Sequence, residues 1–216
     1  MTATTEQMLK AIKQMREASP KRKFEQSIDM FITLGGIDMK KPEGRITDDV
    51  VLPHLIGGPK KVLVFADGEL ARRARDSGAD LVLGKDDVES LGRNRKRAKK
   101  IAAEYDFSLA QADFMVLLGK TLGPVLGPKG KMPKPVPTTA NPAPMIERMK
   151  KTLLLLTRDQ AVLNAKIGVE SMSDEQIAAN AKAVLEAIEH KLGERGGEIS
   201  AIKIKTTMGK PVKLEA

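Results

Sequence analysis

The hydrophobic pattern of this 216-residue chain changes twice, and the change limits the architectures that it can adopt. Towards both ends, apolar residues alternate with polar ones, as in strands that bury one face. From Lys60 to about residue 152, short runs of consecutive apolar residues are separated by helical segments instead. Such continuous apolar strands are typical of parallel sheets covered on both faces. The two patterns therefore indicate two domains, one of which interrupts the other.

The end segments predict an α+β domain with an antiparallel sheet. Residues 5–18 place apolar side chains at helical spacing, and Pro20 ends the helix. Apolar residues then alternate from Phe24 to Leu34, which predicts a half-buried strand. The remaining predicted elements are a strand around 50–52, a strand over 160–172, a helix behind a Ser173–Gln176 capping box, and a closing strand over 198–215.

The middle segment predicts strands at 62–65, 81–83 and 113–118 and helices at about 68–77, 86–103 and 142–152. We therefore predict a discontinuous outer domain, 1–65 and 153–216, with an antiparallel sheet and helices. The inserted domain, 66–152, is predicted to be a three-layer, Rossmann-like α/β domain. The chain would cross between them near 64–67 and 152–155, and these crossings would act as a hinge.

The composition limits the kinds of partner and site that this chain can have. Lys and Arg number 37 against 28 Asp and Glu, and the net charge of +9 favours an anionic partner such as a nucleic acid. There is no cysteine and there are only two histidines, so we predict no metal, no cofactor and no catalytic centre. The longest apolar run, 153–156, is too short to span a bilayer. We expect a cytoplasmic protein without a membrane partner.

Gly119-Lys120-Thr121 matches the end of a phosphate-binding P-loop. That motif needs a further glycine five positions before Gly119, where this chain has Phe114 inside a predicted strand. A nucleotide-dependent enzyme built on the α/β domain is therefore the disfavoured alternative.

The segment 119–137 combines glycines and prolines with lysines. Glycine permits close backbone approach and proline stiffens an extended path, so the segment predicts an ordered basic loop for a polyanion's backbone. An ordinary surface loop with solvated lysines is the other interpretation. The lysines are Lys120, Lys129, Lys131 and Lys134.

A second basic run covers 93–100. On a single helix, four of its side chains would share one face and could track phosphates, although a solvated face is the alternative. These residues are Arg93, Lys96, Arg97 and Lys100.

Two shorter motifs could meet at a sheet edge. TTMGKP, residues 206–211, ends a predicted strand and offers two hydroxyls, a flexible methionine and a glycine. KRKF, residues 21–24, begins another strand that could lie beside it.

Together, LGPVLGPKGKMPKP in the inserted domain, KRKF early in the chain and TTMG near its end resemble the ribosomal protein L-one family, in its archaeal form. The resemblance covers essentially the whole chain. It implies a monomeric protein off the ribosome that binds the stalk region of large-subunit ribosomal RNA, chiefly through the discontinuous domain. It also implies contact with exit-site transfer RNA, whose release it assists, and repression of the protein's own messenger RNA. A non-ribosomal nucleic-acid chaperone of the same fold is a further alternative.

The resemblance assigns the RNA contacts to particular residues. Some family members have a serine six residues before Thr207, where this chain has Ala201, so a hydroxyl contact there would come from elsewhere, for example from Ser200, or would be absent. The positions that the resemblance implies are Lys23, Phe24, Ser27, Lys166, Thr207, Met208 and Gly209, and Thr206 joins this candidate site because of its hydroxyl.

Overall fold

The computed structural model describes residues 4–37, 44, 46–58, 60–157, 160–193 and 196–214. The chain divides into two compact units, Met1–Gly58 with Thr152–Ala216 and Pro59–Lys151, called the outer unit and the inserted unit below. The predicted boundary at residue 65 is corrected to Gly58. The strand over 62–65 pairs on both sides with strands of the inserted unit, so the first predicted crossing lies inside that unit. Glu215, in the predicted closing strand, lies outside the described residues.

The outer unit is α+β, as predicted. Its described helices and strands, numbered in chain order, are α1 (Thr5–Glu17), β1 (Ser27–Gly35), β2 (Thr47–Val51), β7 (Thr152–Leu156), β8 (Val162–Val169), α8 (Asp174–Gly193), β9 (Glu198–Thr206) and β10 (Val212–Leu214). An antiparallel sheet has the order β10-β9-β1-β8, and β2 pairs with β7 in a second, two-stranded sheet. The sequence pattern did not indicate β7.

The core of the outer unit lies on one face of the four-stranded sheet. Ile28, Met30 and Ile32 alternate along β1 and are completely buried, in one cluster with apolar residues of α1 and α8. Because strand side chains alternate between faces, the polar residues between them must lie on the opposite face. The sequence pattern thus determines which face of the sheet can meet a partner.

The inserted unit is a parallel α/β structure. Its described elements are β3 (Val62–Phe65), α2 (Gly68–Asp76), β4 (Leu81–Leu83), α3 (Lys85–Arg93), α4 (Arg95–Glu104), β5 (Phe107–Gln111), α5 (Met115–Thr121), α6 (Gly123–Leu126), β6 (Lys134–Val136) and α7 (Ala143–Lys150). The strand order is β4-β3-β5-β6, with all pairs parallel. All four residues of β3 are buried, which reflects helices on both faces and confirms the three-layer prediction.

The predicted strand at 113–118 is wrong. Residues Ala112–Phe114 form a 3₁₀ turn and lead into α5, while the strand of this region is β5. A short apolar run does not reveal by itself whether it is a strand or a buried helix. Leu118 is buried in the helical layer, so the apolar run covers the sheet instead of joining it.

Candidate nucleic-acid interface

The two short motifs that the sequence singled out meet at one end of the four-stranded sheet. Because β1 and β9 are antiparallel, the start of β1 lies beside the end of β9. Thr207 N donates to Ser27 O at 3.0 Å, and Ser27 N donates to Thr207 Oγ1 at 3.1 Å. These bonds extend the strand pairing by one position. They leave the segment Thr207–Gly209, called the C-terminal turn below, at the edge of the open face.

Large apolar side chains are exposed on both segments. Phe24 is 52% exposed and Met208 is 55% exposed, and Lys23 is exposed beside Phe24. Apolar side chains of this size in water are typical of surfaces that bind a partner. Ser27 is half-buried and Thr207 is exposed. With Thr206 and Gly209 of the same segment, seven of the eight candidate RNA-contacting residues therefore lie together at this end of the sheet.

Thr206 and Gly209 have internal roles that the sequence did not indicate. Thr206 is buried, and its hydroxyl is 2.8 Å from Ser19 Oγ, which itself donates to Met15 O at the end of α1. A Cβ atom on Gly209 would contact Thr206 Oγ1 and would lie 2.6 Å from Ser19 Oγ. The hydroxyl of Thr206 is therefore not on the surface, and Gly209 is required by the packing beneath the C-terminal turn.

We expect Gly209→Ala to destabilise the protein by roughly 1–3 kcal/mol, because the added methyl group overpacks the site and displaces the hydroxyl of Ser19. The free energy of unfolding, measured with a chemical denaturant, checks this. The matched control is Gly119→Ala in α5, where an added Cβ meets no atom within 4 Å. That variant should be as stable as the unmodified chain or more stable by about 0.5–1 kcal/mol, because alanine favours helix. Equal effects of the two substitutions would contradict this interpretation.

The open face of the sheet carries lysines from three strands. Lys205 and Lys166 lie opposite Asp29 in the strands on either side of β1, and Lys203 lies opposite Phe31. The Lys205 ammonium lies 6.0 Å from the centre of the Phe31 ring. We call this surface the lysine face; its lysines are Lys166, Lys203, Lys205 and Lys213.

Only Lys166 of these lysines was assigned to the site from the sequence. The alternation of Ile202 and Ile204 with Lys203 and Lys205 was visible, but only strand pairing shows that these lysines share a surface with Lys166. Asp29 lies among them and is half-buried. Burial raises the pKa of the Asp29 carboxyl, while Lys166 and Lys205 act in the opposite direction. The face is therefore cationic, with one partly desolvated carboxylate in it.

The basic loop of the inserted unit is mostly helical and not extended as predicted. Residues Gly123–Leu126 are α6, a 3₁₀ turn follows over Gly127–Lys129, and only Lys134–Val136 is a strand. Lys120 and Lys129 are exposed, and Lys134 is half-buried. Lys131 differs from them, because its ammonium donates to Tyr105 O at 2.7 Å and to Ala102 O at 3.1 Å. It binds the carbonyls at the end of α4, and burial lowers its pKa.

We expect Lys131→Met to destabilise the inserted unit by about 1–3 kcal/mol, because two carbonyl groups at a helix end lose their donor. Lys129→Met is the matched control, since Lys129 is exposed and a surface substitution changes stability by less than about 0.5 kcal/mol. Thermal unfolding followed by circular dichroism would separate the two variants. A stable Lys131→Met protein would show that this lysine is a surface charge.

The sequence predicted that the basic run lies on one helix, and this prediction is wrong. α3 ends at Arg93 and α4 begins at Arg95, because Asn94 caps the second helix by accepting a hydrogen bond from Arg97 N at 3.1 Å. Lys96, Arg97 and Lys100 are exposed on α4, and Arg93 is exposed at the end of α3. The run forms a charged surface around the junction of the two helices instead of a straight stripe.

The geometry argues against a nucleotide site in the inserted unit. Gly119-Lys120-Thr121 ends α5, where the helix dipole is negative, whereas a P-loop places these residues at a helix start. At the carboxyl edge of the sheet, the Asp67 carboxylate accepts a hydrogen bond from Lys85 N at the start of α3, 3.3 Å away. A phosphate bound there would meet that negative charge. The motif also requires a glycine at the position of Phe114. This requirement is not met, although Phe114 lies in a 3₁₀ turn and not in the predicted strand.

Comparison with known proteins decides the family. A model of the ribosomal protein L1p/L10e family matches residues 12–210. The chain belongs to the ribosomal protein L1p/L10e family. This membership confirms the resemblance seen in the sequence and the predicted fold class.

Curated relatives in this family match the chain over nearly its whole length. The large ribosomal subunit protein uL1 of Methanothermobacter thermautotrophicus is 44% identical over 209 residues, 97% of this chain and 99% of that protein. The protein of the same name from Methanothermococcus thermolithotrophicus is 46% identical over 210 residues, 97% and 98% of the two chains. That from Methanocaldococcus jannaschii is 44% identical over 210 residues, 97% and 95%.

The described part of this family member has neither a membrane-spanning helix nor a cluster of metal-ligating side chains. No helix there is both long and apolar enough to cross a membrane. Within the same residues, no group of three or more His, Cys, Asp or Glu side chains is arranged to hold a metal ion.

Proposed function

We propose that this chain is a structural protein of the large ribosomal subunit that binds the stalk region of large-subunit ribosomal RNA. The binding surface would be the C-terminal turn, the 20–26 segment and the lysine face of the outer unit. The family and its curated relatives, each named as a large-subunit protein, support the first part. The proposal implies a cytoplasmic protein on the ribosome and no enzymatic role.

One observation carries the assignment of the surface. The exposed side chain of Met208 stands on a turn whose backbone is held by hydrogen bonds to Ser27 and to Gln26, next to a cationic sheet face. Such a preformed surface can contact RNA backbone and 2′-hydroxyls without first becoming ordered. The lysines would add the part of the affinity that depends on salt. Polar contacts that exclude water would add a part that depends on salt less.

A role in translational repression would use the same surface of the outer unit. The stalk site and a mimic of it in the protein's own messenger RNA would compete for the outer unit, which would make the protein a translational repressor.

The exposed residues of the basic run and of the loop around Lys120 and Lys129 would face exit-site transfer RNA. The chain passes between the two units at Gly58/Pro59 and Lys151/Thr152, and bending there would accompany release of that RNA.

A titration over a range of salt concentrations tests the proposal. A stalk-sized fragment of large-subunit ribosomal RNA is compared with an unrelated hairpin of equal length, from about 50 to about 500 mM salt, a range over which non-specific phosphate binding should collapse. Selective binding that survives high salt supports recognition by the outer unit. Equal binding and joint release of the two RNAs would reduce the surface to a general polyanion site and would reject the proposal.

We expect that replacing Arg93, Lys96, Arg97 and Lys100 by glutamine leaves the affinity for isolated stalk RNA within about twofold, because the outer unit would carry that contact. The same variant should bind transfer RNA more weakly and with a smaller salt dependence. The measurement is a pair of titrations with the two RNAs. A large loss on stalk RNA would contradict the division of roles between the two units.

A further inference from the structure

Gln26 is a completely buried polar residue between two exposed parts of the proposed RNA-binding surface. Its exposed fraction is 0%, although it follows the exposed Lys23 and Phe24 by only a few residues and directly precedes β1. Burying an amide is unfavourable unless its donors and acceptor find partners. The partners of Gln26 therefore show what its burial achieves.

The side chain of Gln26 joins three segments that are distant in sequence. Its Oε1 accepts a hydrogen bond from Met208 N in the C-terminal turn, at 3.1 Å. Its Nε2 donates to Pro20 O and to Glu170 Oε1, each at 2.9 Å. Both amide hydrogens and the carbonyl oxygen thus have partners.

The backbone of Gln26 strengthens the same junction. Gln26 N donates to Glu170 Oε2 at 3.1 Å, and Glu170 N donates to Gln26 O at 3.0 Å. Glu170 is itself tied to α1, because Arg16 Nη1 donates to its carbonyl oxygen at 2.9 Å. The junction is therefore anchored on the rigid part of the outer unit.

We propose that Gln26 is a positioning residue for RNA recognition, which holds the C-terminal turn in register with the segment carrying Lys23 and Phe24. This inference rests on the proposed function. Gln26 cannot touch RNA itself, since it has no exposed surface. It acts through the backbone of Met208, because the hydrogen bond from Met208 N limits where the exposed methionine side chain can lie.

The chemistry of the junction selects glutamine. The position needs an acceptor for Met208 N and two donors, one for Pro20 O and one for the Glu170 carboxylate. A glutamate would bring two carboxylates together and would lack the donors. A methionine has nearly the same shape and supplies neither strong donors nor a strong acceptor. Gln26→Met therefore removes the hydrogen bonds while it keeps the volume.

The test is a double-mutant cycle on the full chain with Gln26→Met and Met208→Ala, read out as affinity for stalk RNA. We expect Gln26→Met alone to weaken binding by about tenfold or more, with an unchanged salt slope, because no phosphate contact is lost. In the Met208→Ala background the same change should have less than about a third of that effect, since residues that act through one another are non-additive. Gly197→Ala, which overpacks Ile37 and Leu192 at the other end of the sheet, controls for loss of stability.

Several outcomes would overturn the inference. Full additivity of the two changes, or an unchanged affinity for Gln26→Met, would make Gln26 a purely structural residue. So would an equal loss of affinity for Gly197→Ala. If Gln26→Met does not fold, hydrogen exchange on the unmodified protein decides, because rapid exchange of the Met208 amide would show that Gln26 does not hold the turn. If Met208→Ala itself leaves RNA binding unchanged, the proposed function fails first, and the two failures are thus distinguishable.

Discussion

Met208→Asp is expected to weaken binding of stalk RNA by roughly 2 kcal/mol or more, about 30-fold. Met208 is 55% exposed on the C-terminal turn, so the substitution leaves the core unchanged. In the complex, however, a carboxylate at this position would be desolvated and would face phosphate charge. The loss should appear at all salt concentrations, because it affects the contacts that exclude water. Titration with the stalk fragment measures it.

Met132→Asp is the matched control for this prediction. Met132 is 40% exposed in the inserted unit, outside the proposed stalk-RNA surface. Both variants add one negative charge to the chain and remove one exposed methionine. Equal losses would show that net charge alone governs binding. An unchanged affinity for folded Met208→Asp protein would remove the C-terminal turn from the site.

Asn180→Ala is expected to lower the free energy of unfolding by roughly 3 kcal/mol or more, because three backbone groups that bind this completely buried side chain lose their partner. Asn180 lies in α8 and is completely buried. Its Oδ1 accepts from His54 N at 3.0 Å, and its Nδ2 donates to His54 O at 3.1 Å and to Ile167 O at 3.0 Å. These bonds attach the segment after β2 to α8 and β8. Without them, the carbonyl of Ile167 is buried without this partner, and the N–H and C=O of the half-buried His54 lose theirs.

Chemical denaturation followed by circular dichroism measures this effect, since the chain has no tryptophan. Asn164→Ala is the control, because Asn164 is exposed on β8 and its loss should change stability by less than about 0.5 kcal/mol. Asn180→Asp adds a second comparison, because the aspartate keeps the shape and acceptor but loses the two donated bonds. Stability of either Asn180 variant equal to that of Asn164→Ala would contradict the role assigned to the side chain.

The periodicity of the sequence predicted most of the fold. Alternation in β1 and β9 and continuous apolar residues in β3 are direct consequences of having one buried face or two. The pattern was wrong over 113–118, where a helix buries the same apolar residues that a strand would bury. It also missed the break at Asn94, because a side chain that caps a helix can interrupt a charged run without changing its composition.

The candidate site was predicted less completely. Exposed residues such as Lys23, Phe24 and Met208 were accessible to sequence analysis, because the family resemblance points to them. The lysine face was predicted only in part, because the neighbours of Lys166 across the sheet depend on the register between strands that are far apart in the chain. Lys131 was assigned to a partner although it binds the end of α4. The sequence alone does not distinguish a lysine that binds groups within the protein from a lysine that binds a ligand.

The sequence by itself determined the two kinds of domain, the interruption of one by the other, the polar face of the sheet and the cationic character of the chain. These properties follow from the local periodicity and the composition of the sequence, which do not depend on how distant segments pack. Only the tertiary structure decided which polar residues are buried and form hydrogen bonds within the protein. Gln26, Thr206 and Asn180 are buried because their hydrogen-bond partners come from distant segments. Such partners are brought together by folding, and the order of residues along the chain does not record them.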